Sequence, residues 1–159
     1  MATIHATAVL IGSKAVLVRG PSGSGKSRLA LALIAMGEAG LIHFARLVAD
    51  DRVALSVHGD RLVAAAPASL AGLVERRGQG IVPQPAESCA VVGLIVDLDA
   101  ADASRMPEPE STSTTLYGVT LPRLPLVRGA DALPLVLARS SWCSSTNPLL
   151  AAMHPYRYS

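Results

Sequence analysis

An α/β domain with a mixed sheet and flanking helices, built around a phosphate-binding loop, is the fold this chain predicts. Three observations carry it. Gly20-Pro21-Ser22-Gly23-Ser24-Gly25-Lys26-Ser27 fits G-x-x-x-x-G-K-[ST]. That loop lies between a β-branched run and a helical period, the context in which the motif is meaningful. Further on, Cys89 to Leu98 is a continuous apolar run suited to a strand buried on both faces.

With 159 residues and 16.4 kDa, the chain has the size of one domain, expected to span 1–159 with 141–159 as a coil tail. Its hydrophobic content of 50%, charged content of 16% and mean hydropathy of +0.40 exclude a largely disordered chain. They suggest a well-buried sheet, or a subunit that covers surface by oligomerising. A net charge of +2 with scattered arginines, one tryptophan, three tyrosines and one phenylalanine argue against nucleic-acid binding. Cys89 and Cys143 fit no disulfide scaffold or metal pair and are expected as reduced, small core residues. The first eight residues lack the pattern of a secretory signal, and no apolar run approaches the ~18 residues of a membrane span. A soluble, cytoplasmic protein is expected.

Taken in order, Thr7 to Ile11 and Lys14 to Arg19 form a hairpin about Gly12-Ser13, and the second strand feeds the glycine-rich loop. Lys26 to Met36 is the following helix, with Leu29, Leu33 and Met36 on one face and Gly37 as its stop. After a loose connection through Phe44, Arg46 to Ala49 is a short strand ending in Asp50-Asp51. Val53 to Val57 and Arg61 to Ala65 flank His58-Gly59-Asp60 as a second hairpin, which Pro67 ends. Ser69 is expected to cap a short helix through Val74. Glu75 to Ile81, with two glycines among charges, then reads as a tight loop. Ala100 to Thr115 is polar and proline-bearing, a surface loop. Leu116 to Leu126 holds another strand, and Asp131 to Ser140 is a helix with Pro134 in its first turn.

The motif gives the first chemistry. Backbone N–H groups of Gly20 to Ser27 wrap phosphate oxygens, Lys26 reaches the β and γ phosphates, and Ser27 helps hold magnesium. ATP and Mg2+ are the cofactors this predicts. Asp50 and Asp51 follow Lys26 by 24 and 25 positions. At the end of the next strand, one carboxylate is suited to binding magnesium and the other to taking a proton from an attacking hydroxyl.

The order of motifs resembles the catalytic domain of the HPr kinase/phosphorylase family, bacterial enzymes that phosphorylate a serine of the phosphocarrier protein HPr. His5 ahead of a hairpin, the loop at 20 to 27, Arg46-Leu47-Val48-Ala49-Asp50-Asp51 and Glu75-Arg76-Arg77-Gly78-Gln79-Gly80-Ile81 carry the likeness, over about residues 4 to 140. The lack of a separate amino-terminal domain resembles the short alphaproteobacterial form. The resemblance implies a P-loop fold of the phosphoenolpyruvate carboxykinase type, a hexameric homo-oligomer, an HPr-like phosphocarrier as substrate, and a role in regulating a phosphotransferase system and carbon metabolism. It implies that His5 orients the catalytic acid. Asp50 and Asp51 would supply the base and the metal-linked carboxylate, with Asp51 narrowly favoured as base, and Glu75 would complete the magnesium site. Arg77 and Arg105 would stabilise phosphoryl charge. His43, His58 and His154 have no such support.

Three departures stand out. Arg28 occupies a position where the family usually has an acid, the 37–44 connection is longer than expected, and Val127-Arg128-Gly129-Ala130-Asp131 replaces the proline-glycine-arginine motif tied to the dephosphorylating reaction. That reaction is thus left without its motif. Two rivals share the fold: an ATP-sensing regulator that transfers no phosphate, and a small-molecule kinase.

Overall fold

The computed structural model describes residues 2–140 and Trp142. The remainder of the expected 141–159 tail, with Cys143 and His154, lies outside the described residues. Ten strands and two α-helices follow in the order β1 (Ala2–Ile11), β2 (Lys14–Arg19), α1 (Lys26–Glu38), β3 (Ala45–Ala49), β4 (Arg52–His58), β5 (Arg61–Ala65), β6 (Leu73–Arg76), β7 (Gly80–Pro83), β8 (Cys89–Asp97), β9 (Ser113–Leu116), β10 (Val119–Pro125) and α2 (Ala132–Arg139).

Two strands fork. β1 pairs along one edge with β2, while its other edge is shared between β4 at residues 2–5 and β3 at residues 8–11. β8 does the same, running parallel to β2 on one edge and dividing the other between antiparallel β5 and parallel β10. Because β4 also pairs with β5, the strands β2, β1, β4, β5 and β8 close on themselves. Small side chains fill much of the interior of this ring. Ala6, Ala8, Ala15, Ala49, Ala64 and Ala90 pack there with Leu17, Val53, Leu55, Leu62 and Ile95. The alanine-rich composition therefore has a geometric use.

The opposite face of β1, β2 and β8 is covered by helices. Val9, Ile11, Val16, Val18, Leu94 and Val96 meet Leu29, Ala30, Leu33 and Ile34 of α1 and Val136 and Leu137 of α2. Apolar side chains on both faces explain why the β8 segment reads as an uninterrupted apolar run. Trp142 closes one end, donating from its indole N–H to the Ile11 carbonyl at 2.9 Å.

Several sequence expectations are corrected. Gly37 is not the stop of α1, which continues to Glu38. A Cβ on Gly37 would sit 2.8 Å from the Ala45 backbone N and Cβ, so its bare backbone is what lets β3 lie against the helix. The turn comes at Gly40, whose φ of +71° suits glycine. The helix expected from Ser69 is a 3₁₀ turn over Ala68–Leu70, and Leu73–Arg76 is strand. Together with Gly80–Pro83 it turns the expected 75–81 loop into a two-stranded hairpin. The loop from Ala100 ends in β9, because Ser113 to Leu116 pair with β10 and Thr115 and Thr120 share a hydroxyl hydrogen bond. Cys89, expected in the core, is exposed at the start of β8.

Candidate active site

β2 ends at Arg19 and the chain enters the loop at Gly20, where φ is +152°. A side chain there would meet the Leu98 carbonyl oxygen at 2.9 Å and Ser24 Oγ at 2.6 Å, so only glycine lets the loop turn this close to the end of β8. Lys26 and Ser27 are the first two residues of α1. Lys26 is buried, and its ammonium donates to the carbonyls of Gly20 at 2.9 Å and Pro21 at 3.0 Å. Burial lowers its pKa, while the charges of Asp51 and Asp50 work in the opposite direction.

The two acids after β3 are separated by one backbone feature. Asp51 has a φ of +66°, uncommon for a residue with a side chain, and the Arg52 N–H closes on the Asp50 carbonyl at 2.8 Å. The two carboxylates consequently have different surroundings. Asp50 is buried, and its Oδ1 accepts from the hydroxyls of Thr7 and Ser27, each at 2.8 Å. Its Oδ2 accepts from the Glu75 N–H at 3.3 Å. Asp51 is 68% exposed, and its Oδ1 lies 3.6 Å from Nδ1 of His5, itself 54% exposed. That separation is ion-pair range and longer than a hydrogen bond.

These groups share one cleft of about 1010 Å³. Its lining includes His5, Ser22 to Ser27, Asp50, Asp51, Glu75 and Arg77, as the sequence predicts. Arg28 also lines it, so this departure puts a positive charge beside the loop. Gly20 and Pro21 contribute through the carbonyls that hold Lys26. Arg105 is exposed in the segment between β8 and β9 and does not line the cleft. His43 and His58 are also exposed and outside it, and His58 Nε2 is 3.0 Å from Ser56 Oγ. Sequence reasoning missed Thr7, Arg76 and Gln79, all of which line the cleft.

The donor set suits both cofactors. Ser24 Oγ and Arg76 Nε are buried without a hydrogen-bond partner among the described residues, and spare donors beside a glycine-rich loop fit an anionic ligand. Asp50 and the Ser27 hydroxyl are hard oxygen donors, with Glu75 on the adjoining strand. Magnesium is usually held by one or two carboxylates together with substrate phosphates, so the lack of a cluster of three acidic or metal-binding side chains among the described residues is compatible with it.

Residues 1–86, more than half of the chain, match the HPr Serine kinase C-terminal domain family. The chain belongs to that family. The matched residues contain the glycine-rich loop, both aspartates and the Glu75 hairpin, so every family residue brought to the cleft lies inside the match. Among curated relatives, the HPr kinase/phosphorylase of Exiguobacterium sp. is 37% identical over 114 residues, covering 67% of this chain and 34% of that protein. The HPr kinase/phosphorylase of Levilactobacillus brevis is 42% identical over 81 residues, covering 50% of this chain and 24% of that protein. The chain thus spans a minor part of the relatives it matches. Among solved structures, the Hpr(Ser) kinase/phosphatase from Coxiella burnetii superposes with a TM-score of 0.67 at 23% identity, covering 86% of each chain. That likeness shows the fold.

Behind the loop of this HPr serine kinase C-terminal domain lies a charge network. Asp97, at the end of β8, accepts two hydrogen bonds of 2.7 Å from Arg19, the last residue before the loop, and a third from Arg123 of β10. Arg123 also grips Asp102 through two nitrogens, at 2.6 and 2.9 Å. Burial pushes the Asp97 carboxyl up, but the hydrogen bonds and charges of Arg19 and Arg123 outweigh it and hold the group below the usual carboxylate range. Because the folded pKa is depressed, this stabilisation is complete above the unfolded value, roughly 4, and is lost as pH falls through the folded one. Asp97→Asn is expected to cost about 2–3 kcal/mol at neutral pH, since two arginines lose their shared anion. Thermal melts from pH 7 to pH 2.5 check this: the gap between the two proteins should shrink below about pH 4. A gap that is unchanged with pH would place the effect elsewhere.

Proposed function

We propose that this domain is an ATP- and magnesium-dependent serine kinase that phosphorylates an HPr-like phosphocarrier protein, and so regulates a phosphotransferase system and carbon metabolism. The observation that carries this reading is the separation of the aspartates beside the phosphate loop. Asp50 is buried among hydroxyl donors, while Asp51 stands exposed at the rim with His5 beside it. An exposed acid is accessible to a serine on a protein loop, which supports a protein substrate over an enclosed metabolite.

In this reading the loop amides and Lys26 hold the triphosphate, and Arg28 and Arg77 add positive charge along the cleft. Asp50 and Ser27, with Glu75 nearby, would hold magnesium, which would neutralise charge on the phosphates. Asp51 takes the proton of the seryl hydroxyl as its oxygen bonds to the γ-phosphorus. The bond from that phosphorus to the β–γ bridging oxygen breaks, and ADP leaves. His5 keeps Asp51 turned toward the incoming hydroxyl. Arg105 has no part in this assignment. A cytoplasmic location and a hexameric assembly belong to the same proposal. The reverse, phosphorylase reaction is left out of it, since Val127 to Asp131 replace the motif tied to it and do not line the cleft.

The test is incubation with γ-labelled ATP, magnesium and the phosphocarrier protein of the same cell. Label on a serine of that protein is the expected result. Nucleotide binding without any transfer would overturn the kinase reading and favour an ATP sensor.

A further inference from the structure

Thr7 is a fully buried polar residue in the strand that opens the fold. Its neighbours Ala6, Ala8 and Val9 are buried and apolar, and its hydroxyl donates to Asp50 Oδ1 at 2.8 Å. The same oxygen also accepts from Ser27 of α1, at 2.8 Å. Asp50 is thus held between a strand and a helix.

The two donors differ in what else they do. Ser27 belongs to the phosphate loop, where its oxygen is needed by the ligand. Thr7 lies on β1, and its position is fixed independently of the loop by pairing with Val18 of β2. A β-branched side chain in a strand also has restricted χ1 freedom, so its hydroxyl is held in one direction at little further entropic cost. A buried hydroxyl without a partner is costly, and Asp50 satisfies this one.

We infer that Thr7 is a positioning residue for the metal-linked carboxylate, using its hydroxyl on β1 to hold Asp50 in the orientation that receives a magnesium–nucleotide complex. The inference rests on the nucleotide reading above and adds a residue to it. Thr7 touches neither phosphate nor metal in this role. It acts through Asp50, and its removal should weaken binding of the metal complex specifically.

The test is fluorescent-ATP binding to the full chain, once with magnesium and once with EDTA, for the parent protein, Thr7→Val and Thr7→Ser. Valine keeps the shape and removes the donor, whereas serine keeps the donor. For Thr7→Val the Kd for magnesium–ATP should rise at least about tenfold, the size expected for one hydrogen bond to a charged group. Its Kd for metal-free ATP should stay within about twofold, and Thr7→Ser should restore magnesium–ATP binding. If Thr7→Val does not fold, Thr7→Ala carries the same comparison. Equal weakening with and without magnesium, or no weakening in either, would overturn the inference while leaving the nucleotide reading intact. A parent protein that binds ATP in neither condition would overturn both.

Discussion

Asp51→Asn is expected to slow phosphoryl transfer by about 10²- to 10⁴-fold, the usual contribution of a positioned general base, while the affinity for magnesium–ATP stays within about threefold. Asparagine keeps the shape of the side chain but does not take up the seryl proton. The affinity should survive because Asp51 lies at the exposed rim and Asp50 carries the contacts to Thr7 and Ser27. Asp50→Asn should behave differently. It replaces a buried anion that two hydroxyls and the Glu75 N–H all address, so magnesium–ATP binding itself should fall at least about tenfold. Single-turnover transfer and equilibrium binding, measured on both variants, separate the roles. If Asp50→Asn loses transfer with binding intact and Asp51→Asn loses binding, the two assignments are reversed.

This division between neighbouring acids was only partly legible in the sequence. The pair at the end of a strand, downstream of the loop, already marked a site. What the sequence lacked was the backbone reversal at Asp51, where an aspartate adopts a positive φ and sends the two side chains to opposite environments. Thr7 escaped notice for a related reason. A lone threonine in an alternating strand is ordinary, and its partner lies 43 positions away. Arg19 and Asp97 are 78 positions apart, and their link depends on β2 and β8 being parallel neighbours.

Element type followed local pattern where the pattern was strong. The β1–β2 and β4–β5 hairpins, α1, β8 and α2 had turn residues or long apolar periods, and all are present. The failures share a cause. The β6, β7 and β9 strands are four residues each, too short to show a period, and their pairing is what defines them. The closure of the sheet through the forks in β1 and β8 is likewise a property of long-range pairing. Arg105, given to the site by resemblance alone, lies outside the cleft. The 1–86 family match stops before it.

Lys26→Met offers a sharp contrast between stability and function. The ammonium is buried, and burial lowers its pKa against the attraction of Asp51 and Asp50. A lysine with a lowered folded pKa is a charge the fold holds at a cost at neutral pH, a cost that shrinks as pH rises through the folded value and is gone above the unfolded one. Methionine has nearly the same length and no charge, so the variant escapes that cost. It forfeits the hydrogen bonds to the carbonyls of Gly20 and Pro21, which lie in a loop open to water. The two effects oppose each other, so Tm should stay within about 3 °C of the parent. Phosphoryl transfer should nevertheless fall by about 10²-fold or more, because the positive charge at the terminal phosphates is gone. Thermal melts paired with labelled-ATP transfer read both quantities on one preparation. A Tm drop of roughly 10 °C accompanying the lost activity would make Lys26 a structural residue of the loop. A held Tm with lost transfer identifies a buried charge that the fold tolerates for the sake of its ligand.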